Sequence, residues 1–417
     1  MRKSLLLVAA MAASATLMLS ACSTSPQGES GEGTLTFLSP FPKEQAEPLI
    51  AEFEKLNPGT TINVTYYGPD TQQLLLTQLA AGTAPDVMYM NPGAGQPTAV
   101  GTLAAAGYLE DLSASPWASQ IPDEFKQFLS YDGKVYAFPS TIYGLGAFYN
   151  DSALASVGLE APTTWTDVIK FCGDAKAAGI PAYALGVNEQ WIAQLITYAL
   201  VSTLVDTPDP EFNSTVGKGS TFADSGWVES LDKYTEMKDA GCFQDNATGT
   251  DGAASWKLLG EGKALGVVQV TAVLGAIQDV STEGTEYTLL PFPANDDPSS
   301  TSMPSSLSST MGINAKAKNP ELAHKWVDWM SETAQLNSLA AAQAGSLPTI
   351  SDGSFDVPPV LAVYEQFANE GRVTPIPDSL WPNPEIAAAH MTGIQALFLG
   401  TSTTADIVNA MDAAAAK

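Results

Sequence analysis

Over the first third of the chain, the spacing of the hydrophobic residues switches repeatedly between the period of a β-strand and that of an α-helix. The pattern predicts a strand at 34–38 and then a helix in "KEQAEPLIAEFEKLNPG". The apolar face of this helix is made of Leu49, Ile50, Phe53 and Leu56. The next segments predict a strand in "TINVTYY", a helix in "TQQLLLTQLAAG" and a buried strand in "PDVMYM". This alternation predicts an α/β domain with a largely parallel sheet.

A similar alternation returns in the middle of the chain. Helices are predicted around 163–178, 190–204, 224–240 and 253–260, and the apolar "KALGVVQV" predicts a strand. The last third is mostly helical. The segment "NDDPSSTSMPSSLSST" at 295–310 is polar and rich in Ser and Pro, and we interpret it as either a linker or a crossing between lobes.

The N-terminus has the pattern of a secretory signal peptide at residues 1–21. Arg2 and Lys3 precede an uncharged apolar run that ends in small residues. The sequence "LSAC" resembles a bacterial lipobox, which implies cleavage before Cys22 and acylation of its thiol. The alternative is an ordinary signal peptide followed by a chance cysteine. Residues 22–33 are typical of a flexible Ser/Gly tether.

Length and charge narrow the possible functions. A chain of 417 residues predicts more than one domain or lobe. A formal net charge of -27 argues against nucleic acid or anionic lipid as partners, because both require a basic surface. No later segment is long and apolar enough to span a bilayer. We therefore expect an extracytoplasmic protein, anchored to the outer face of the membrane by the Cys22 lipid.

The residue patterns of common catalytic and metal sites are missing. The sequence contains two histidines, His324 and His390, and no HExxH, CxxC or GxSxG motif. The segment "GKGST" at 217–221 is not a phosphate-binding loop, because Phe212 stands where that motif requires its first glycine. We predict no metal, no cofactor and no enzymatic activity. The 45 acidic residues nevertheless keep a glycoside hydrolase open as an alternative.

Two further cysteines lie near the ends of predicted helices. If Cys22 is acylated, Cys172 and Cys242 remain as an even pair in an oxidising compartment. We expect either a disulfide between adjacent elements or two buried free thiols.

Seven stretches along the chain are informative in their order and spacing. They are "LIAEFEKLNPGTTINVTY", "LAAGTAPDVMYM", "AAAGYLEDL", "YAFPSTIYGLGAFYND", "GEGKALGVV", "MGINAKAKNPELAHKWVDWM" and "AGSLPT". Together they resemble the extracellular solute-binding proteins of ABC importers, in the branch that includes maltose and maltodextrin binders. The resemblance implies a two-lobed α/β fold of the periplasmic-binding-protein type II, with lobes joined by three hinge crossings. Lobe one would comprise 34–142 and 308–348, and lobe two 143–307 and 349–417.

The resemblance also implies a ligand that is held between the lobes and closes them about the hinge. A sugar ligand needs aromatic rings for its apolar faces and amide, carboxylate or hydroxyl groups for its hydroxyls. The position of Trp191, beside Asn188 and Glu189, resembles that of an aromatic sugar-stacking residue in maltodextrin binders. The alternative for Trp191 is packing in the core.

Further candidates lie at strand ends and in the hinge. Tyr143 lies in the hinge segment, where ligand contact and hinge packing are both open. Asn91 and Gln96 follow the "PDVMYM" strand, and ligands of open α/β sheets bind at carboxyl ends of strands. The remaining candidates are Phe41, which follows the first strand, Gln269 at the end of the "KALGVVQV" strand, and Trp381, whose flanking prolines favour an exposed ring. For Phe41 and Trp381 the alternative is a surface staple.

The chain departs from the resembled family after the "KALGVVQV" strand. Many members have a Trp soon after this strand, and this chain reads "QVTAVLGA" there. The predicted function is capture of a sugar, an oligosaccharide in our interpretation, by a monomeric lipoprotein that delivers it to ABC permease subunits. The alternatives are a lipid-anchored glycoside hydrolase and a binder of a peptide or polyamine.

Overall fold

The computed structural model describes residues 33–68, 71–308 and 310–417. The predicted signal peptide, Cys22 and the tether as far as residue 32 lie outside these residues. The lipid anchor therefore stays a prediction.

Strands and helices alternate along the described chain. Its strands are β1 (Thr34–Ser39), β2 (Thr61–Tyr66), β3 (Val87–Met90), β4 (Ser130–Tyr131), β5 (Lys134–Val135), β6 (Phe138–Pro139), β7 (Thr141–Asn150), β8 (Gly266–Val270), β9 (Tyr287–Leu290), β10 (Met303–Leu307), β11 (Thr310–Ile313), β12 (Leu347–Pro348) and β13 (Val373–Pro375). Its α-helices are α1 (Lys43–Leu56), α2 (Thr71–Ala81), α3 (Val100–Ala105), α4 (Asp123–Leu129), α5 (Asp151–Val157), α6 (Trp165–Ala177), α7 (Gln190–Ala193), α8 (Leu195–Val201), α9 (Phe212–Thr215), α10 (Gly226–Ala240), α11 (Gly252–Gly260), α12 (Leu274–Asp279), α13 (Pro320–Met330), α14 (Thr333–Ala342), α15 (Ala362–Asn369), α16 (Pro384–Phe398) and α17 (Thr404–Ala415).

The first lobe is built on a five-stranded sheet in the order β2-β1-β3-β11-β6. β1 pairs in parallel with β2 and β3, whereas β11 runs antiparallel to β3 and β6. The predicted face of α1 is buried at Leu49, Ile50 and Phe53, as hydrophobic burial favours. Leu56, the last residue of the helix, is the exception, at 58% exposed.

The second lobe is built on β7, which lies between β10 and β12 and also pairs with β8 and β9. β10 falls inside the polar 295–310 segment, so the interpretation of that segment as a linker is wrong. All five residues of β10 are buried, and β13 pairs with its other edge. Serine is tolerated in this buried strand because its hydroxyl can form hydrogen bonds there. The hydroxyls of Ser305 and Tyr364, for example, are hydrogen-bonded at 2.7 Å.

The chain passes between the two lobes three times. It does so from β6 to β7, from β10 to β11, and from α14 to β12, which pairs with β7. The fold is therefore the predicted two-lobed α/β architecture. The residue boundaries assigned to the lobes from the sequence stay a prediction.

Local sequence determines where many helices begin. Side chains of Thr164, Ser225, Asp251 and Thr403 each accept a hydrogen bond from a backbone N–H in the first turn of α6, α10, α11 and α17. Such caps satisfy donors that lack a partner within the helix. At the C-terminal end of α10, Gly241 takes a left-handed conformation with a φ of 76°, which glycine adopts without steric cost.

A disulfide joins α6 to Cys242, the second residue after the end of α10. Cys172 and Cys242 are both fully buried, with their Cα atoms 4.6 Å apart. Of the two alternatives left open by the sequence, the structure has the bonded pair.

Candidate functional site

The cleft between the lobes contains a cavity of about 260 Å³, here called the inner cavity. The first lobe contributes the end of β3 and the loop after it, and the second lobe contributes β7, β8, β10, α7, α8 and the segment after β13. Aromatic rings, amides, hydroxyls and one carboxyl group line it together. These side chains include Tyr89, Asn91, Gln96, Tyr143, Trp191, Gln194, Tyr198, Ser306 and Asp378.

The wall from the first lobe is set by the carboxyl end of β3. Tyr89 and Asn91 are two residues apart, so they project to the same side of the strand. The hydroxyl of Tyr89 donates to Oδ1 of Asn91 at 3.3 Å, and Nδ2 of Asn91 donates to Oγ1 of Thr98 at 2.9 Å. Burial raises the pKa of Tyr89 to about 12, so this hydroxyl stays protonated. The amide of Asn91 is thereby held in one orientation at the cavity wall.

The wall from the second lobe comes from α7 and α8. Trp191 lies at the start of α7 and remains 39% exposed, an unusual state for so large an apolar ring. Gln194 and Tyr198 are buried, and the Tyr198 hydroxyl donates to Oε1 of Gln194 at 2.8 Å. An open indole beside an ordered hydroxyl and amide provides both a stacking surface and hydrogen-bonding groups.

Asp378 supplies the one carboxyl group among the described residues that line the inner cavity. It lies half-buried in the turn after β13, beside the Tyr198 hydroxyl. Burial raises the pKa of Asp378 to about 6, and a hydrogen bond with Tyr198 opposes the shift. Burial and the charge of Asp378 together raise the pKa of Tyr143. A ligand that donates hydroxyl groups would stabilise the ionised carboxylate here.

The loop after β3 touches the segment after β13 across the cleft. A Cβ atom on Gly95 would lie 2.3 Å from the carbonyl oxygen of Asp378, and one on Gly93 would lie 2.1 Å from that of Ser379. Gly93 also has a φ of +75°, a backbone conformation that residues with a Cβ atom rarely adopt. Glycine at both positions therefore allows the two lobes to meet backbone to backbone beside the inner cavity.

A second cavity of about 520 Å³, here called the outer cavity, continues the cleft. It shares Tyr89 and Ser308 with the inner cavity, so the two are adjoining compartments. Two further grooves, of about 590 and 910 Å³, are each formed by a single lobe. Only contacts to both lobes couple a ligand to lobe closure, which favours the cleft as the functional site.

Four of the residues predicted from the sequence meet at the inner cavity. Asn91 and Gln96 line it from the first lobe, and Tyr143 and Trp191 from the second. The exposure of Trp191 excludes the alternative of full burial in the core.

The placement predicted for Trp381 and Phe41 is wrong. Trp381 was expected to be exposed because prolines surround it, but it is fully buried. Its ring packs against Tyr198 and Trp227, and its indole N–H donates to Oδ1 of Asn213 at 2.9 Å. Phe41 is 1% exposed and belongs to the core of the first lobe. In both cases apolar burial outweighs the local turn signal.

The prediction also differs from the structure at three polar residues. Gln269 is fully buried, and its Oε1 accepts from the N–H of Val270 at 2.8 Å, so it lines neither cavity. Glu189 precedes α7 and Asn188 is exposed outside both cavities. Successive side chains of β8 point to opposite faces of the sheet. The side chain that reaches the inner cavity is that of Val270, so the side chain of Gln269 points away from it.

Sequence reasoning missed Asp378, Gln194, Tyr198 and Ser306. Asp378 lies in no recognisable sequence motif. Ser306 lies in the segment whose composition resembled that of a linker. The pair Gln194 and Tyr198 did carry a signal, since residues four apart on a helix that begins near Trp191 share its face. The remaining residues are brought together only by the packing of the second lobe.

Comparison with known proteins agrees with this architecture. A family model described as bacterial extracellular solute-binding protein matches residues 48–368. The chain belongs to this family. In this solute-binding protein, the matched region includes most of the residues that line the outer cavity and most of those that line the inner one.

Two relatives and one solved structure illustrate the similarity. The chain is 26% identical over 179 residues to the multiple sugar-binding protein of Streptococcus mutans, a match that covers 42% of each chain. It is 26% identical over 330 residues to the maltodextrin-binding protein MdxE of Bacillus subtilis, covering 76% of this chain and 74% of the relative. The structure of RafE in complex with raffinose superposes with a TM-score of 0.78 at 19% identity, over 91% of this chain and 98% of that one. This last likeness shows the fold alone.

Among the residues that the structure describes, no helix is both long and apolar enough to cross a membrane. The same residues contain no group of three or more His, Cys, Asp or Glu side chains arranged to hold a metal ion.

Proposed function

We propose that this solute-binding protein captures a neutral sugar, an oligosaccharide, between its lobes and presents it to the permease of an ABC importer. The observation that supports the proposal best is the inner cavity, where aromatic rings and polar groups from both lobes converge. The names of the relatives agree, since they bind multiple sugars and maltodextrin. The protein acts by binding and closure, as a monomer, with no cofactor.

A glycoside hydrolase is the less favoured alternative. Hydrolysis of a glycosidic bond usually requires two carboxyl groups about 5–10 Å apart that flank the bond. Among the residues that the structure describes, Asp378 is the one carboxyl group that lines the inner cavity, and Asp279 is the one that lines the outer cavity. A polyamine binder would also need more acidic groups than these compartments offer. Neutral hydroxyls suit a single half-buried carboxylate better.

The affinity for sugar should fall as the pH falls through about 6. Asp378 faces the neutral hydroxyls of Tyr143 and Tyr198, and the part of the inner-cavity lining that the structure describes contains no Lys, Arg or His. Sugar hydroxyls that donate to the carboxylate lower its pKa in the complex below its ligand-free value of about 6. Binding then expels a proton in acid, and the affinity decreases by up to about tenfold per pH unit until the pKa of the complex is reached.

Calorimetric titration between pH 5 and 8 measures this dependence. Asp378→Asn should bind about tenfold more weakly than the wild type at pH 7 and should lose the pH dependence, because it removes a charge-assisted hydrogen bond. Asp352→Asn, at an exposed loop residue, is the matched control and should behave as the wild type. Affinity that is constant or rises on acidification would contradict the role of Asp378.

We further propose that a lipid on Cys22 anchors the exported protein at the outer face of the membrane. The supporting observation is the lipobox-like "LSAC" at the end of the apolar N-terminal run. The exported wild type should enter the detergent phase in a two-phase partition, and Cys22→Ala should abolish this. Wild-type protein recovered in the aqueous phase would refute the anchor.

A further inference from the structure

The segment at 374–381, here called the anchored segment, carries the carboxyl group of the inner cavity and is held at both of its ends. The hydroxyl of its first residue, Thr374, is hydrogen-bonded with that of Ser202 at 2.7 Å. The indole N–H of its last residue, Trp381, donates to Oδ1 of Asn213 at 2.9 Å. Both partners belong to one buried polar network of the second lobe, so the position of the segment depends on that network.

Asp206 lies at the centre of this network. It ends the π-helical turn Ser202–Asp206, which continues α8, and it is 4% exposed. Such turns are rare in proteins and frequent at functional sites. Its Oδ1 accepts from Nδ2 of Asn213 at 2.6 Å, whereas its Oδ2 is buried and makes no close hydrogen bond among the described residues, although the Thr374 hydroxyl lies beside the carboxyl group. The carboxyl group is therefore next to one anchor of the segment and reaches the other, Trp381, through Asn213.

The buried carboxyl group is neutral at pH 7. A carboxylate with one close donor is unfavourable in the interior, because both of its oxygens need hydrogen bonds there. Burial accordingly raises the pKa of Asp206 to about 8. Hydrogen bonds with Asn213 and Thr374 oppose the shift, and the charge of Asp209 adds to it. Above pH 8 the new charge would draw the Thr374 hydroxyl away from Ser202, since a carboxylate is the stronger acceptor.

The titratable groups on the elements around this network keep their charge between pH 7 and 9. α8 and α10 present Tyr198 and Tyr234, and burial raises the pKa of both well above the usual value of about 10. His390 on α16 stays neutral, because burial lowers its pKa to about 3. Arg372, just before β13, has its Nη1 3.3 Å from Oε2 of Glu370. Among the described residues around the network, the charge that changes over this range is therefore that of the buried carboxyl group.

We infer that Asp206 is a positioning residue for Asp378: its neutral carboxyl group holds the anchored segment in place, and its ionisation releases the segment. The inference rests on the proposed function, since the position of Asp378 matters only if the inner cavity binds the sugar. Sugar capture then has an alkaline limit that arises outside the cavity, besides the acid limit set by Asp378 itself.

The test is calorimetric titration at pH 7, 8 and 9 with the tightest-bound sugar of a panel of maltose, maltotriose, melibiose, raffinose and stachyose. The wild type should bind about tenfold more weakly at pH 9 than at pH 7, because binding must return one proton to a group with a pKa of about 8. Asp206→Asn keeps the acceptor for Asn213 without a charge and should lose this fall. Glu211→Gln, at an exposed residue nearby in the chain, is the matched control and should show the same fall as the wild type.

Thermal unfolding of the ligand-free proteins at the same pH values separates positioning from support of the fold. If Asp206 only supported the fold, pH would shift the melting temperature while the affinity stayed constant, and the inference would be wrong. An Asp206→Asn variant that keeps the wild-type fall at pH 9 would overturn it as well, with sugar capture intact. A wild type that binds no sugar of the panel would contradict the proposed function, and the inference with it.

Discussion

Replacing Gly95 with alanine should weaken sugar binding about a hundredfold, or by about 2.7 kcal/mol, without destabilising the protein. The new Cβ would lie 2.3 Å from the carbonyl oxygen of Asp378, so the lobes could no longer meet as they do in the structure. A ligand would then contact one lobe at a time, and the part of its affinity that depends on closure would be lost. Calorimetric titration together with thermal unfolding of the ligand-free protein measures both effects.

Gly95 suits this test better than Gly93, because its backbone conformation is one that alanine also adopts. Gly173→Ala on α6 is the matched control, since a Cβ at Gly173 meets nothing within 4 Å. It should bind sugar with the wild-type affinity. If Gly95→Ala bound as tightly as the wild type, contact between these loops would have no part in ligand capture.

Removing the disulfide should lower the free energy of unfolding by about 4 kcal/mol. The bond between Cys172 and Cys242 closes a loop with a sequence separation of 70 residues, and its absence enlarges the conformational freedom of the unfolded chain. Alanine at both positions avoids burying a new polar group, as both cysteines are fully buried. Urea unfolding of the double variant and the wild type provides the measurement.

A reducing agent supplies the internal control. It should bring the wild type down to the stability of the double alanine variant and leave that variant unchanged. A double variant that lost less than about 1 kcal/mol would show that the unfolded chain is not appreciably restrained by this bond.

The first lobe was the easier one to predict from the sequence. Its strands and helices follow one another with uninterrupted periodicity, and the buried face of α1 is almost the predicted one. The second lobe depends more on distant contacts. β10 has the composition of a linker, and its serines tolerate burial only because partners such as Tyr364 are brought to them by the fold.

In the candidate site, too, the residues set by local sequence could be predicted and those set by distant contacts could not. Asn91 and Gln96 could be predicted, because the carboxyl end of a parallel strand is a local property of the sequence. Trp381 could not, since its burial depends on Tyr198, Trp227 and His390, which lie far from it in the chain. Asp378 was missed for a similar reason, because its neighbours Tyr143 and Tyr198 come from other elements.

The central claim is that the cleft captures an intact neutral sugar. It is tested most directly by thermal unfolding of residues 23–417 with a panel of mono- and oligosaccharides, and by product analysis of each mixture. A sugar at a hundredfold excess over its Kd should stabilise the protein by about 2.7 kcal/mol and be recovered uncleaved. Stabilisation by peptides or polyamines but by no sugar, or recovery of the sugar as fragments, would contradict the claim.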